Sequence, residues 1–336
     1  MSFISIGDLA QSLQLRRDNA RLSARFDELT RELSTGRTAR LDAAVGGDYR
    51  ALAAFESGIN KAETTLTALR EFSLETDARQ AVLSSVRDTT DRVAGQLLLL
   101  QGAPRPTLEA EILDDAAAGF DRVVSQMNTQ LGGRSLFAGT QVDGPALPPA
   151  ADIIASAEAA IAAQAAVTAP DIEAALDAWL SPGGDFETLV YQGGDTMNGD
   201  TSGTLPGTAI APTAAASELR NLLKGFVTAA IVQRGLPTAT PDDREALLTR
   251  SADILLNARE GVLSLQARVG TTQENLDTAM TEIAAEKDGL ELARAALVEI
   301  DPFAVASEIE AVETQLRSLY VLTSKLSGLS LTDYLR

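Results

Sequence analysis

The chain has 336 residues, 45% of them hydrophobic and 22% charged, a net charge of -19, and neither cysteine nor histidine. That composition fits a folded chain with a sizeable core and excludes wholesale disorder. It excludes disulfides, thiolate chemistry, Cys/His zinc sites and histidine bases. The acidic balance without a basic patch, and aromatics at only 4%, exclude nucleic acid as a partner.

The opening MSFISIGDLAQSLQLRRDNA lacks the continuous apolar core of a secretory signal, and no stretch approaches the ~18 apolar residues of a membrane span. The expectation is a soluble chain without a cleaved signal or membrane partner. The first helix is read from Leu22, Phe26, Leu29 and Leu33, at gaps of four, three and four, with Leu9 and Leu13 before them. STGRTARLDAAVGGDY at 34–49 then reads as a linker broken by Gly36, Gly46 and Gly47.

Two further narrow stripes follow: Leu52, Phe55, Ile59, Ala62, Leu66, Leu69, and then Leu83, Val86, Thr90, Val93, Leu97, Leu100. GAPRP at 102–106 breaks the helix, because two prolines cannot continue it. A new helix is predicted with Thr107 as its cap and Ile112, Ala116, Phe120, Val123, Met127 and Leu131 on its buried face.

From Ser135 to Leu219 there is no Lys or Arg, while eleven acids fall in the same stretch. Turn signals (GPALPP, SPGG, YQGG, GTLPGT) surround one predicted Ala-rich helix at 151–179, and DFETLVYQGG reads as a short strand and turn. The expectation is a small inserted surface domain with Trp179 in its core and a solvated acidic face.

The strongest pattern comes next. Leu248, Leu255, Val262, Val269, Leu276, Ile283, Leu290 and Leu297 recur every seven residues. Ser251, Ala258, Leu265, Thr272, Ala279, Glu286, Ala293 and Ile300 follow three residues after each. This is a heptad with one large and one mostly small core position, in which only Glu286 fits poorly. Thr240, Pro241, Asp242 and Asp243 mark its start. The last helix is capped by Asp301, begins at Pro302, and carries Val305, Ile309, Val312, Leu316 and Leu319. Its spacing slips at Leu322, Leu326 and Leu329, before Leu331 and Leu335 close the chain. Chain ends are usually polar, so an apolar end needs burial in the fold or in a neighbour.

The fold class expected is mainly α: an elongated antiparallel helical bundle with coiled-coil terminal helices and a small inserted central domain, α/β or mixed. The divisions read from the chain are a terminal helix at 1–45, a first bundle half at 46–136, an insert at 137–216, a second bundle half at 217–300 and a final helix at 301–336. Catalytic signatures are missing: no phosphate loop, no GxGxxG, no HExxH and no nucleophile elbow. GDTSG at 199–203 has its serine at the wrong offset, and GGDTMNGD at 193–200 imitates a calcium loop spoiled by Met197 and Gly199. The reading is of a chain that is not an enzyme, with no catalytic, cofactor-binding or metal residues.

The stretch LTRELSTGRTARL at 29–41 resembles the end of the N-terminal helix in the flagellin family of bacterial axial proteins. NTQLGGRSLFAGT at 128–140 is similar to the run that enters that family's central domain, and RVGTTQENLDTA at 268–279 resembles its Arg-x-Gly-Ala-x-x-Asn-x-Leu run. The ending LSLTDYLR resembles that of the family's shorter hook–filament junction members more than that of flagellin. Residues 42–49, DAAVGGDY, depart from the family's Ser/Ala-Asp-Asp run, and the insert is richer in alanine.

The resemblance implies a structural protein of the extracellular flagellum, connecting hook to filament. Its terminal helices would pack in an inner-core coiled coil through Leu9, Leu13, Leu22, Phe26, Leu29, Leu33, Val305, Ile309, Val312, Leu316, Leu319, Leu326, Leu329, Leu331 and Leu335. The implied partners are other copies in a helical ring, flagellin on the filament side and another hook-associated protein on the hook side. The flagellar type III export machinery and an export chaperone complete the set. A filament flagellin, or a cytosolic coiled-coil scaffold, is the alternative.

Overall fold

The computed structural model describes residues 6–101, 106–195, 211–235 and 240–334, with side chains at Ala10 and from Leu13 to Lys325 within those ranges. The end of the calcium-loop imitation, the GDTSG run, the GTLPGT turn and most of GAPRP lie outside the described residues. The described chain is mainly helical, as its periodicities predict. Its helices are α1 (Ile6–Thr35), α2 (Leu41–Ala44), α3 (Arg50–Leu98), α4 (Pro106–Met127), α5 (Ala150–Ala163), α6 (Ala169–Leu180), α7 (Ser217–Arg234), α8 (Pro241–Val298) and α9 (Pro302–Tyr334). The strands β1 (Gln130–Leu131) and β2 (Arg134–Ser135) form an antiparallel hairpin. Its two-residue turn is Gly132–Gly133, both at positive φ (59° and 82°), the conformation that a tight hairpin turn requires.

Two compact units divide the chain: Met1–Thr64 with Ala284–Arg336, and Thr65–Ile283. In the second unit, α3 and α8 run antiparallel, as Gln273 to Asp77 (2.6 Å), Gln266 to Arg87 (3.2 Å) and Arg259 to Asp91 (3.6 Å) show. The predicted heptad is buried here at Leu248, Leu255, Val262, Val269 and Leu276, with Ser251, Ala258, Leu265, Thr272 and Ala279 equally enclosed. Small residues at the second core position bring neighbouring helices close. Ser251 Oγ reaches the carbonyl of Gly225 on α7 at 2.7 Å, and a Cβ on Gly225 would meet Leu255 at 2.6 Å.

Helix α7 has no narrow stripe; Leu222 to Val232 is buried all round. It is the central helix of this unit, flanked by α4, α5 and α6. Phe120 of α4 and Phe226 of α7 stack with ring centroids 5.9 Å apart. The sequence reading passes over α7, although the unbroken run LLKGFVTAAIV is the signal of a helix enclosed on every side.

The insert differs from its reading in two places, and the helix before it in a third. The single Ala-rich helix is two, because the chain turns between Ala163 and Ala169, with Ala165 at φ 50°. Thr168 then caps α6 from its side chain to Asp171 N, with Pro170 in the first turn. Second, Phe186–Val190 forms a π-helical turn and not a strand. Phe186 and Val190, four residues apart, are both buried, and Phe186 meets Trp179 edge-on at 5.3 Å. A strand would have put these two on one face as well, so the spacing alone did not decide between them. Third, the second restart begins at Pro106, so Thr107 lies inside the first turn of α4 and not at its cap. Trp179 is buried as expected, its Nε1 donating to Ser156 Oγ at 3.1 Å.

The acidic stretch is not merely solvated. Glu158 faces Arg234, Glu187 faces Arg220, Glu173 and Asp177 both face Lys224, and Glu218 faces Arg268. Its acids therefore meet basic groups presented by α7 and α8.

Candidate assembly surface

In the unit formed by the two chain ends, α1 leaves and α9 enters through one antiparallel bridge between Arg37 and Glu299. Thr38 N donates to Val298 O at 2.9 Å, and Ile300 N donates to Gly36 O at 3.2 Å. Gly36 sits at φ 68°, which the turn out of α1 requires. Glu32, itself buried, secures that turn: its Oε1 accepts from Ala39 N at 2.8 Å and Thr38 Oγ1 at 3.2 Å. Asp301 caps α9 as predicted, accepting from Phe303 N at 2.9 Å and Ala304 N at 3.4 Å.

Beyond the bridge α1 packs on α9. Leu29, Val305 and Val312 form a small buried cluster, with Leu22, Phe26, Ile300, Ile309 and Leu316 against it. Arg25 spans the pair, bonded to Glu308 at 2.8 Å and to Glu28 at 2.9 Å; the bond to Glu308 and then that to Glu28 raise its guanidinium pKa. Leu319 is half-buried. Thus eight of the fifteen residues singled out for subunit packing lie on or beside the α1–α9 seam of one chain: Leu22, Phe26, Leu29, Val305, Ile309, Val312, Leu316 and Leu319.

Leu13 and Leu33 are exposed. The side chains of Leu9, Leu326, Leu329 and Leu331, and all of Leu335, lie outside the described residues. The nine-residue step from Leu13 to Leu22 explains the first: at about 100° per residue it places Leu13 on the opposite face of α1. Exposed apolar residues absent from the sequence reading are Phe303, Tyr320 and Val321 on α9 and Leu292 on α8, with Phe303 87% and Leu292 73% exposed.

The heptad of α8 changes character in this unit. Leu290 and Leu297, like Ala293 and Ile300, are only half-buried, whereas in the other unit Leu248 to Leu276 are enclosed and only Ile283, at its edge, is half-buried. Their in-chain partner is the start of α3, where Leu52, Ile59 and Ala62 are buried and Gly58 admits Leu290 so closely that a Cβ would lie 2.8 Å from its Cδ1. Glu286, the poor heptad fit, is exposed, while Lys287 binds Glu63 at 2.8 Å.

In the other unit a cleft of about 1050 Å³ is lined by Phe72, Thr76, Arg79, Tyr191, Arg268 and Thr272 among others. Its cations are engaged: Arg79 donates to Leu136 O at 3.1 Å and pairs with Glu75 at 3.2 Å, and Arg268 pairs with Glu218 at 2.6 Å. Burial lowers the pKa of Arg79 and raises that of Tyr191. Among the described residues no group of three or more Asp or Glu is placed to hold a metal, and no helix is long and apolar enough to cross a membrane.

Residues 253–335, most of α8 together with α9, match the bacterial flagellin C-terminal helical region. That match spans 83 of the 336 residues. Of the stretches that resemble the flagellin family, RVGTTQENLDTA at 268–279 and all but the last residue of LSLTDYLR lie inside the matched region. Among solved structures, the chain is similar to one named as a flagellar hook-associated protein from Vibrio parahaemolyticus. The two are 17% identical over 81% of this chain and 96% of that one, with a TM-score of 0.40. No curated protein matches the chain.

Proposed function

We propose that this protein forms the junction between flagellar hook and filament, using the unit built from its two ends as the assembly region. The observation that carries the reading is the contrast along α8. One heptad is enclosed at Leu255, Val262 and Leu276 but only half-covered at Leu290 and Leu297, within the flagellin-matching stretch. Full enclosure of an exposed leucine is worth roughly 1.5–3 kcal/mol, so each of these half-covered side chains recovers about 1 kcal/mol when neighbours complete the seam.

The ending LSLTDYLR favours the junction over the filament itself. The partners are then further copies in a helical ring, flagellin on one side and another hook-associated protein on the other. Export proceeds by the flagellar type III machinery with an export chaperone. In this reading the termini at 1–45 and 301–336 are the packing helices, and the segment 137–216 faces outward. The mechanism is templated assembly.

Electron microscopy of a strain lacking the gene, with its medium assayed for flagellin, tests this. Bare hooks and flagellin shed into the medium are expected. Normal filaments would overturn the junction role, and loss of the filament protein itself would make the chain a flagellin.

A further inference from the structure

The cleft between the α3–α8 pair and the insert lies wholly within the Thr65–Ile283 unit. Its volume of about 1050 Å³ matches the largest small-molecule sites, which run from ~300 to ~1,000 Å³. Thr76 and Thr272 line it from facing helices, each next to one member of the Asp77–Gln273 hydrogen bond that joins α3 to α8. They are only 3% and 7% exposed, yet both border the open volume.

The hydroxyl protons along this wall are already spent. Thr76 Oγ1 donates to Phe72 O at 2.7 Å, Thr272 Oγ1 to Arg268 O at 3.1 Å and Thr271 Oγ1 to Ala267 O at 3.1 Å. Across the cleft Tyr191 Oη donates to Gly194 O at 3.0 Å. A hydroxyl has one proton and two lone pairs, so each of these groups is left as an acceptor. The charges are spent too: Arg79 and Arg268 are engaged, and Glu187 accepts from Gly183 N at 2.8 Å while facing Arg220. Exposed Asp195 is the one lining charge without an ion-pair partner among the described residues. It adds acceptors and disfavours an anion. Phe72 and Tyr191, both half-buried, supply aromatic surface, whose negative faces attract polarised C–H groups.

We propose that this cleft binds a neutral oligosaccharide, whose hydroxyls donate to Thr76, Thr271 and Thr272 and whose ring faces rest on Phe72 and Tyr191. A row of acceptors with no free cation calls for an uncharged ligand rich in donors. A peptide backbone carries as many carbonyls as N–H groups, and its carbonyls would meet these oxygens lone pair to lone pair. Every sugar hydroxyl brings a donor, and the exposed amide of Asn275 can bond a hydroxyl in either sense. The site uses no residue of the two chain ends, so it is independent of the junction role.

The test is saturation-transfer NMR on the full-length protein with maltotriose, cellotriose, mannotriose and chitotriose, beside anionic sialyllactose and an end-blocked tetraalanine peptide. At least one neutral trisaccharide should bind saturably and more tightly than the anionic sugar and the peptide. T76V/T272V keeps the shape of both side chains and deletes the two buried acceptors, so it should raise the Kd of that sugar by at least about tenfold. Raised salt should leave the affinity unchanged, because no ion pair forms with the ligand. Circular dichroism checks that T76V/T272V keeps wild-type helicity; should it fail, exposed Asn275→Ala takes its place and must weaken binding at least about threefold. No binding by any neutral sugar, equal binding in the substituted protein, or preference for sialyllactose or the peptide overturns the proposal. Bare or filament-bearing hooks in the deletion strain bear on the junction role alone.

Discussion

Lys224 offers a stringent test of how the acidic insert is held. Its side chain is 8% exposed, with Asp177 at 2.5 Å and Glu173 at 3.6 Å, and those carboxylates are 62% and 28% exposed. The burial is lopsided, so the two ways of breaking the cluster should differ in cost. Lys224→Met removes the desolvated charge. Asp177 can then turn to water, and Glu173 keeps Arg250 at 2.6 Å. That change should be neutral or stabilise by about 1–4 kcal/mol. Glu173→Ala with Asp177→Ala strands the buried ammonium and should cost about 3–5 kcal/mol. At a urea slope of ~2 kcal/mol/M the second variant's midpoint falls by about 2 M. The chain's one tryptophan, Trp179, lies on α6 with both carboxylates, so its fluorescence reports the relevant unfolding. Equal losses in the two variants, or no loss in the double alanine, would refute the argument from burial.

Further outcomes are expected. The Arg250 hydrogen bond, followed by the field of Lys224, depresses the pKa of Glu173 below its ordinary value. Its contribution is therefore complete above the ordinary glutamate range and lost as pH falls through the folded value; the Trp179 urea midpoint should decline only in acid, and a decline beginning near neutrality would contradict the sign. Gly139→Ala should destabilise by at least about 1 kcal/mol, read as a thermal shift, because φ is +62° and its Cβ would meet Asp195 O at 2.4 Å. Leu29→Ala should cost about 2–5 kcal/mol of local stability, seen as faster hydrogen exchange in α1 and α9 while the Trp179 transition is unmoved. Thr240→Ala should cost about 1 kcal/mol at the start of α8, where Thr240 Oγ1 accepts from Asp243 N at 3.2 Å; an unchanged melt would argue against the cap.

The long helices were legible because their stripes are narrow and their ends are punctuated by Thr240, Pro241, Asp301 and Pro302. The break between α5 and α6 was not, since alanine favours continuing a helix and the halt depends on one positive-φ residue, Ala165, with Thr168 and Pro170 behind it. The π-helical turn at Phe186 was hidden because its aromatic partner, Trp179, is supplied by tertiary packing. The glycines of FAGT and YQGG show why those motifs read as they do. Gly194 N donates to Ala138 O at 2.9 Å and Thr140 N to Asp195 O at 3.0 Å, so two backbones lie where side chains would stand. In the unit of the two chain ends, periodicity found the α1–α9 seam but could not reveal Phe303 or Leu292, whose exposure depends on what the surrounding helices leave uncovered.

The backbone bridge at Gly36–Thr38 and Val298–Ile300 gives the α1–α9 pair a direction. Among the described residues that backbone tie lies at one end, so the two helices form a clasp whose opening travels from the far end toward the hinge. Turns next to Leu29 and Val305 are the last to part, while those toward Leu13 and Leu322 part first at the least expense. An incoming subunit would therefore meet the helical turns easiest to exchange at the rim, and could replace in-chain contacts with its own one turn at a time without ever releasing the knot at the base.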